Sequence, residues 1–258
     1  MARNFVIVGT QRTGSSALAE TIGFHPDIAC GWEWTQLAPR RSKIRLAERA
    51  LAGDFLELAP DERSHMQKVF TPPRDWLGFR RLFRSSNKWM FHPRYAPALW
   101  QDRLEDHVAW LSGRQDIHII HLIREDNIAW LKSKYFSKKT GLYVGKPYPS
   151  ITSVKIPVVS ALARVQSKHW VDARLSTLKD TNPYCLVRYE DFCTDKVDVA
   201  NMIFKFLDCD NCKIDLSEKG GRKRQSTGDI SDGILNIDDL ATALRERGLM
   251  KFDAYRKV

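Results

Sequence analysis

Long hydrophobic runs are missing from this 258-residue chain. No stretch approaches the roughly 18 consecutive apolar residues that a membrane-spanning helix needs, so no membrane span is expected. Cysteine is scarce: five residues, Cys30, Cys185, Cys193, Cys209 and Cys212. An odd number, mostly within expected strands and helices, fits reduced thiols better than a disulfide framework. Cys209 and Cys212 form a lone C-x-x-C with no second pair or nearby histidine to complete a tetrahedral site, so no metal is expected. Acidic residues are outnumbered, 31 Asp plus Glu against 41 Lys plus Arg, which leaves a formal charge of +10. The excess calls for an anionic partner: nucleic acid, a membrane surface, or a small phosphorylated or sulfated ligand. Helix-turn-helix, zinc-finger and stacking-sheet signatures are absent and the cations are spread along the chain, so nucleic acid is not the expected partner. Hydrophobic residues at 43% and charged residues at 28% exclude a mainly disordered or collagenous chain. Met1-Ala-Arg-Asn4 leads into an apolar run too short for a signal peptide. A cytoplasmic protein is the expectation.

What is present is an alternation. Phe5-Val-Ile-Val8, closed by Gly9, reads as a strand buried on both faces of a parallel sheet. Ala17, Leu18 and Ile22 recur at helical spacing behind Ser15 and Ser16, with Gly23 and Pro26 as stops. Further strands are expected over 87–92, 117–123 and 184–189. Helices are expected over 99–111, after the 117–123 strand through 135 and beyond, and over 158–178, 197–207 and 237–247. No internal repeat or Gly/Ser linker divides the chain. The expectation is one α/β domain over residues 1–258, a central, mostly parallel sheet flanked by helices. Within it, 35–83 is taken as a helical insertion.

The sharpest motif is Gly9-Thr-Gln-Arg12-Thr13-Gly14-Ser15-Ser16, between the first strand and the first helix. Its spacing and context match the phosphate-binding G-x-x-x-x-G-K-[ST] loop, except that Ser15 stands where the lysine belongs. Such a turn converges backbone N–H groups on an anion, with the positive end of a helix dipole behind them. Arg12 supplies a cation from inside the loop instead. Without the lysine, and without an evident acidic motif for magnesium, nucleoside triphosphate hydrolysis is a poor fit.

This loop resembles the 5′-phosphosulfate loop of sulfotransferases that use 3′-phosphoadenosine 5′-phosphosulfate (PAPS), and a second segment agrees. His121-Leu-Ile-Arg124, followed by Ser133 and then Thr140-Gly141, is similar to the strand-Arg and helix-Ser pair with which those enzymes hold the 3′-phosphate. Arg124 would stand at the C-terminal edge of a central strand, where doubly wound sheets bind ligands. Val187-Arg-Tyr-Glu-Asp-Phe192 and the basic run from Lys219 to Arg224 are weaker likenesses to a late strand end and to a C-terminal loop that covers the 3′-phosphate. The resemblance, nearest to bacterial carbohydrate and small-molecule sulfotransferases, implies a P-loop NTPase-like sulfotransferase fold. It also implies PAPS as donor, adenosine 3′,5′-bisphosphate as product, no metal requirement, and a sugar, lipid or small-molecule hydroxyl as acceptor.

Carried over residue by residue, it implies that Arg12, Thr13, Gly14, Ser15, Ser16, Arg124, Ser133, Lys223 and Arg224 bind the cofactor. Arg12 would also act catalytically, by charge alone, since a guanidinium does not give up its proton. The acceptor hydroxyl needs a base. Glu33, in Gly31-Trp-Glu-Trp34, stands where bacterial carbohydrate sulfotransferases carry a catalytic glutamate, and burial between two tryptophans would raise its pKa. His92 is the alternative base. The rival readings are a P-loop-type nucleotide or small-molecule kinase, a basic nucleic-acid-binding protein, and a non-catalytic relative of the sulfotransferases.

Overall fold

The computed structural model describes residues 4–30, 84–91, 97–142, 149, 153–210 and 232–250. In chain order these form β1 (Asn4–Thr10), α1 (Ser15–Ile22), β2 (Ile28–Cys30), β3 (Arg84–Phe91), α2 (Pro97–Ser112), β4 (Ile117–Ile123), α3 (Asn127–Thr140), α4 (Val158–Ser176), β5 (Tyr184–Arg188), α5 (Tyr189–Thr194), α6 (Lys196–Phe206) and α7 (Ile237–Glu246).

β1 and β4 carry the most continuous apolar sequences, and both are buried along nearly their whole length. A strand covered on both faces needs such a run, because successive side chains point to opposite sides. On one face Phe5 and Ile7 of β1 and Ile120 and Leu122 of β4 pack with Leu18 and Ile22 of α1 and Ile203 and Phe204 of α6. On the other, Val6, Val8, Ile117 and Ile119 meet Leu104, Val108 and Leu111 of α2 and Val171 and Leu175 of α4. Each fully buried side chain of this size contributes about 1.5 to 3 kcal/mol, so these two strands anchor the fold. A third cluster lies behind α3, where Trp130, Leu131 and Phe136 pack on Ile156, Val165, Leu240 and Leu244.

The sheet runs β2-β3-β1-β4-β5, and every pairing is parallel. The α/β architecture expected from the alternation is therefore present. Because β3 and β4 flank β1 on opposite sides, the connections leaving β1 and β4 diverge, and their C-terminal ends form the switch point at which such sheets place a crevice. Capping fixes the helices there. Asp126 accepts a hydrogen bond from the Ala129 amide at 2.8 Å at the start of α3, and Gly141, at φ +69°, ends it.

Several boundaries differ from expectation, three of them for a visible reason. β3 begins at Arg84, because the polar Arg84-Ser-Ser segment pairs by its backbone with β2, an unexpected three-residue strand. β5 stops at Arg188, and Tyr189 opens α5 instead of closing the strand. The fourth helix ends at Ser176 and passes into a 3-10 turn over Thr177–Asp180. Among the described residues no helix is long and apolar enough to cross a membrane.

Candidate functional site

The crevice is built around the turn from β1 into α1. Two of its residues take the left-handed conformation: Arg12 at φ +72° and Gly14 at φ +85°. Glycine does this freely, whereas the arginine incurs about 1 to 2 kcal/mol of strain. Thr13, wholly buried, turns its hydroxyl back to donate to the Thr10 carbonyl at 2.8 Å. Gly14 is the N-cap of α1, and its carbonyl accepts from the amides of Ala17 and Leu18. The first amides of an α-helix have no intrahelical acceptor, and here they belong to Ser15 and Ser16. Ser15, in the place of the missing lysine, is buried.

From the other side come β4 and α3. Arg124 follows β4 directly and is 5% exposed. Its Nη1 donates to the carbonyl of Arg12 at 3.2 Å, and its buried Nε has no hydrogen-bond partner. An unsatisfied guanidinium N–H in a protein interior costs about 1 to 3 kcal/mol, a cost that an incoming anion would remove. Ser133, on α3, accepts at Oγ from both Nε and Nη2 of Arg12, at 3.1 and 2.9 Å. Trp130, one turn earlier, donates its indole N–H to the Gln11 carbonyl at 2.8 Å. Arg12, Arg124 and Ser133, singled out from distant parts of the sequence, thus converge on one loop.

Two further residues belong to this site, which the sequence offered only within a likeness to a late strand end and with no role of their own. The Tyr189 ring lies under the Arg124 guanidinium, 4.5 Å from its centroid to Cζ. The same ring fills the notch left by the missing side chain of Gly14, where a Cβ would fall on its Cδ2 and Cε2 atoms. Glu190 receives the amides of Glu125 and Asp126, one on each carboxylate oxygen, at 3.2 and 3.1 Å. The signal available was the Tyr-Glu-Asp triplet at the end of β5.

Glu33, His92, Lys223 and Arg224 lie outside the described residues, as does the 35–83 segment. Within the described residues no group of His, Cys, Asp and Glu side chains is arranged to hold a metal ion. His25 has a packing role: its Nε2 meets the Asp210 carbonyl at 2.9 Å, and its Nδ1 accepts from the Asp27 amide at 3.1 Å.

Comparison with known proteins bears on the family of the chain. A family model described as the sulfotransferase family matches residues 4–212. Among solved structures, a sulfotransferase from Alicyclobacillus acidocaldarius is 14% identical with a TM-score of 0.46, over 100% of both chains. The sulfotransferase domain of the Synechococcus PCC 7002 olefin synthase is 17% identical with a TM-score of 0.43, over 98% of this chain and 90% of its own. A mouse sulfotransferase complexed with PAP is 13% identical with a TM-score of 0.49, over 95% and 83%. No curated protein matches.

Proposed function

Because the chain belongs to the sulfotransferase family, a family of transferases, we propose that it moves a sulfuryl group from PAPS to a hydroxyl of a sugar, lipid or other small molecule. The observation that carries the reading is the meeting of Arg12, Arg124 and Ser133 at the left-handed loop, with the buried Nε of Arg124 unpartnered. PAPS, when bound, supplies the sulfuryl group and leaves as adenosine 3′,5′-bisphosphate.

The residues present suit such a ligand. Gly14, Ser15 and Ser16 present backbone and hydroxyl donors at the helix N-terminus, and Thr13 contributes through its backbone, since its hydroxyl is engaged with Thr10. Arg12 holds a permanent charge beside that turn, suited to the negative charge that develops on a departing phosphate. Arg124 and Ser133 offer a guanidinium and a hydroxyl to the 3′-phosphate, with Lys223 and Arg224 as further cations from the basic loop. Glu33 takes the acceptor's proton in this reading, and His92 is the alternative. A turnover assay separates them: Glu33→Gln abolishes transfer while leaving bisphosphate affinity intact if Glu33 is the base.

Calorimetry with adenosine 3′,5′-bisphosphate, without added metal, tests the reading, and labelled PAPS with a panel of hydroxyl acceptors tests the transfer. Binding of the bisphosphate but not of magnesium-ATP is expected. Magnesium-dependent ATP binding with no bisphosphate binding would overturn the proposal in favour of a kinase.

A further inference from the structure

The layer between β4 and α4 changes character on the way to the crevice. Towards the N-terminal ends of the strands it is apolar, with Val6, Ile117 and Ile119 against Val171 and Leu175. Nearer the C-terminal ends it holds charge. His121 of β4 is wholly buried, and Lys168 of α4 is 2% exposed. Lys168 Nζ donates to Asp172 Oδ2 at 3.1 Å. The other carboxylate oxygen, Oδ1, lies 4.0 Å from His121 Nε2; both atoms are buried and neither has a hydrogen-bond partner. His121 Nδ1 lies 2.5 Å from the Tyr184 hydroxyl. From β1 the same face receives Val8, the partner of His121, and, two residues on, Thr10, neither of which titrates. Among the described residues, Tyr184 on β5 and Lys168 and Asp172 on α4 are thus the titratable and charged groups that face His121.

Lys168 and Asp172 cancel, so the formal charge of the cluster is that of His121. A neutral ring accepts from Tyr184 at Nδ1 and carries its proton on Nε2, whereas a charged ring donates to Tyr184 instead. The hydroxyl serves both states, and burial raises the Tyr184 phenol, which therefore keeps its own proton. The carboxylate does not serve both equally: at 4.0 Å in an interior of low dielectric it favours the imidazolium. We propose that His121 is a proton-binding site linked to the cofactor site: the chain takes up a proton there as the anionic ligand binds, and holds that ligand more tightly when His121 is charged. The inference rests on the PAPS reading above. His121 stands three residues before Arg124, about 10 Å along the strand direction, and is paired to the strand that leads into the Arg12 to Gly14 turn. Over that distance, through protein that screens less than water, one added positive charge draws a multiply charged anion, and by reciprocity the bound anion draws the proton.

The test is calorimetry with adenosine 3′,5′-bisphosphate on wild type and His121→Gln, which keeps a polar group but stays neutral. The ligand's own phosphates titrate in the same interval, so the quantity read is the ratio of the two affinities, in which that effect cancels. The ratio should be near one at about pH 8 and rise to about fivefold in favour of wild type at about pH 5.5. Near pH 6.5, buffers of different ionisation enthalpy count the protons taken up, and wild type should take up as much as about 0.4 more per ligand than the variant, the most that a fivefold coupling allows. A merely structural role would shift affinity by one factor at every pH with equal proton uptake, and that result overturns the inference while leaving the PAPS reading in place. If glutamine unfolds the chain, Lys168→Met combined with Asp172→Asn removes both formal charges at once and leaves His121 without the carboxylate that favours its proton. This paired variant should also lose the advantage of wild type at low pH, and retention of that advantage overturns the inference. A wild-type chain that binds no bisphosphate at any pH overturns the PAPS reading, and this inference with it.

Discussion

Replacing Gly14 with alanine probes the contact on which the site's geometry turns. At φ +85° and ψ +11° the residue is left-handed, which costs an L-amino acid about 1 to 2 kcal/mol. In addition, the new Cβ would collide with Cδ2 and Cε2 of Tyr189, and forcing that ring aside adds about 1 to 3 kcal/mol, the usual range for overpacking. Gly14→Ala should therefore destabilise the protein by about 2 to 5 kcal/mol. When Tyr189 is already alanine the collision vanishes and only the backbone strain remains, so the same change should cost about 1 to 2 kcal/mol. Urea unfolding of wild type, both single variants and the double variant measures the difference as a coupling of about 1 to 3 kcal/mol, with the double variant more stable than the sum of its parts. The m-value must be common to all four for the comparison to hold. Additivity within about 0.5 kcal/mol would show that the ring does not occupy the notch, and the close packing of Tyr189 on the turn would have to be abandoned.

Behind the sheet, Lys168 and Asp172 form a nearly buried pair at 3.1 Å beside His121. Lys168→Ala strands the carboxylate and should cost about 3 to 5 kcal/mol by chemical denaturation; a loss below about 1 kcal/mol would contradict the pairing. Alkaline pH should weaken the fold: burial pushes the Cys185 thiol up to about 11 and also raises the Tyr184 phenol. A folded pKa above the unfolded one means that the native state holds its proton longer, so stability is intact below about pH 9 and declines as pH rises towards 11. Cys185 accounts for up to about 2 to 3 kcal/mol of that decline, and Cys185→Ala should flatten the curve of Tm against pH over that interval. Ser133→Ala removes a hydroxyl from the proposed 3′-phosphate site and should lower bisphosphate affinity by about tenfold or more, as measured by calorimetry. Equal or tighter binding would mean that Ser133 does no more than engage Arg12.

The runs 5–8 and 117–123 announce strands because a strand buried on both faces can tolerate few polar positions, and β1 and β4 lie where those runs predict. The loop was legible for a different reason: a fixed spacing of glycines and hydroxyl residues between a strand and a helix leaves few alternatives for its backbone. Arg124 and Ser133 were tied to it by the resemblance to the sulfotransferases, and the structure brings both to the loop. β2 was not legible, since its three residues carry no period and its partner segment, Arg84-Ser-Ser, is polar. Tyr189 reads as the last residue of a strand, as tyrosine commonly does, and nothing local reveals that its ring meets a glycine near the opposite end of the chain. Likewise the fate of the Thr13 hydroxyl was decided by the turn closing on Thr10, a contact that a list of donors does not convey.

The polar groups of the turn are satisfied largely from outside it. Backbone carbonyls repel negative charge, and a turn that places amides near a ligand risks placing carbonyls there too. Here the carbonyls of Thr10, Gln11 and Arg12 are each taken by a donor: the hydroxyl of Thr13, the indole of Trp130 and the guanidinium of Arg124. Each carbonyl is thereby engaged, and two of the three donors stand just after β4 and on α3. The left-handed conformation of Arg12, unfavourable by itself, is the one in which its own carbonyl reaches Arg124 while its side chain reaches Ser133. Strain at that residue is thus offset by bonds that also join the two walls. Ser15 stands where the motif's lysine would, and the fixed charge beside the turn is the guanidinium of Arg12, held from outside the loop by Ser133 of α3.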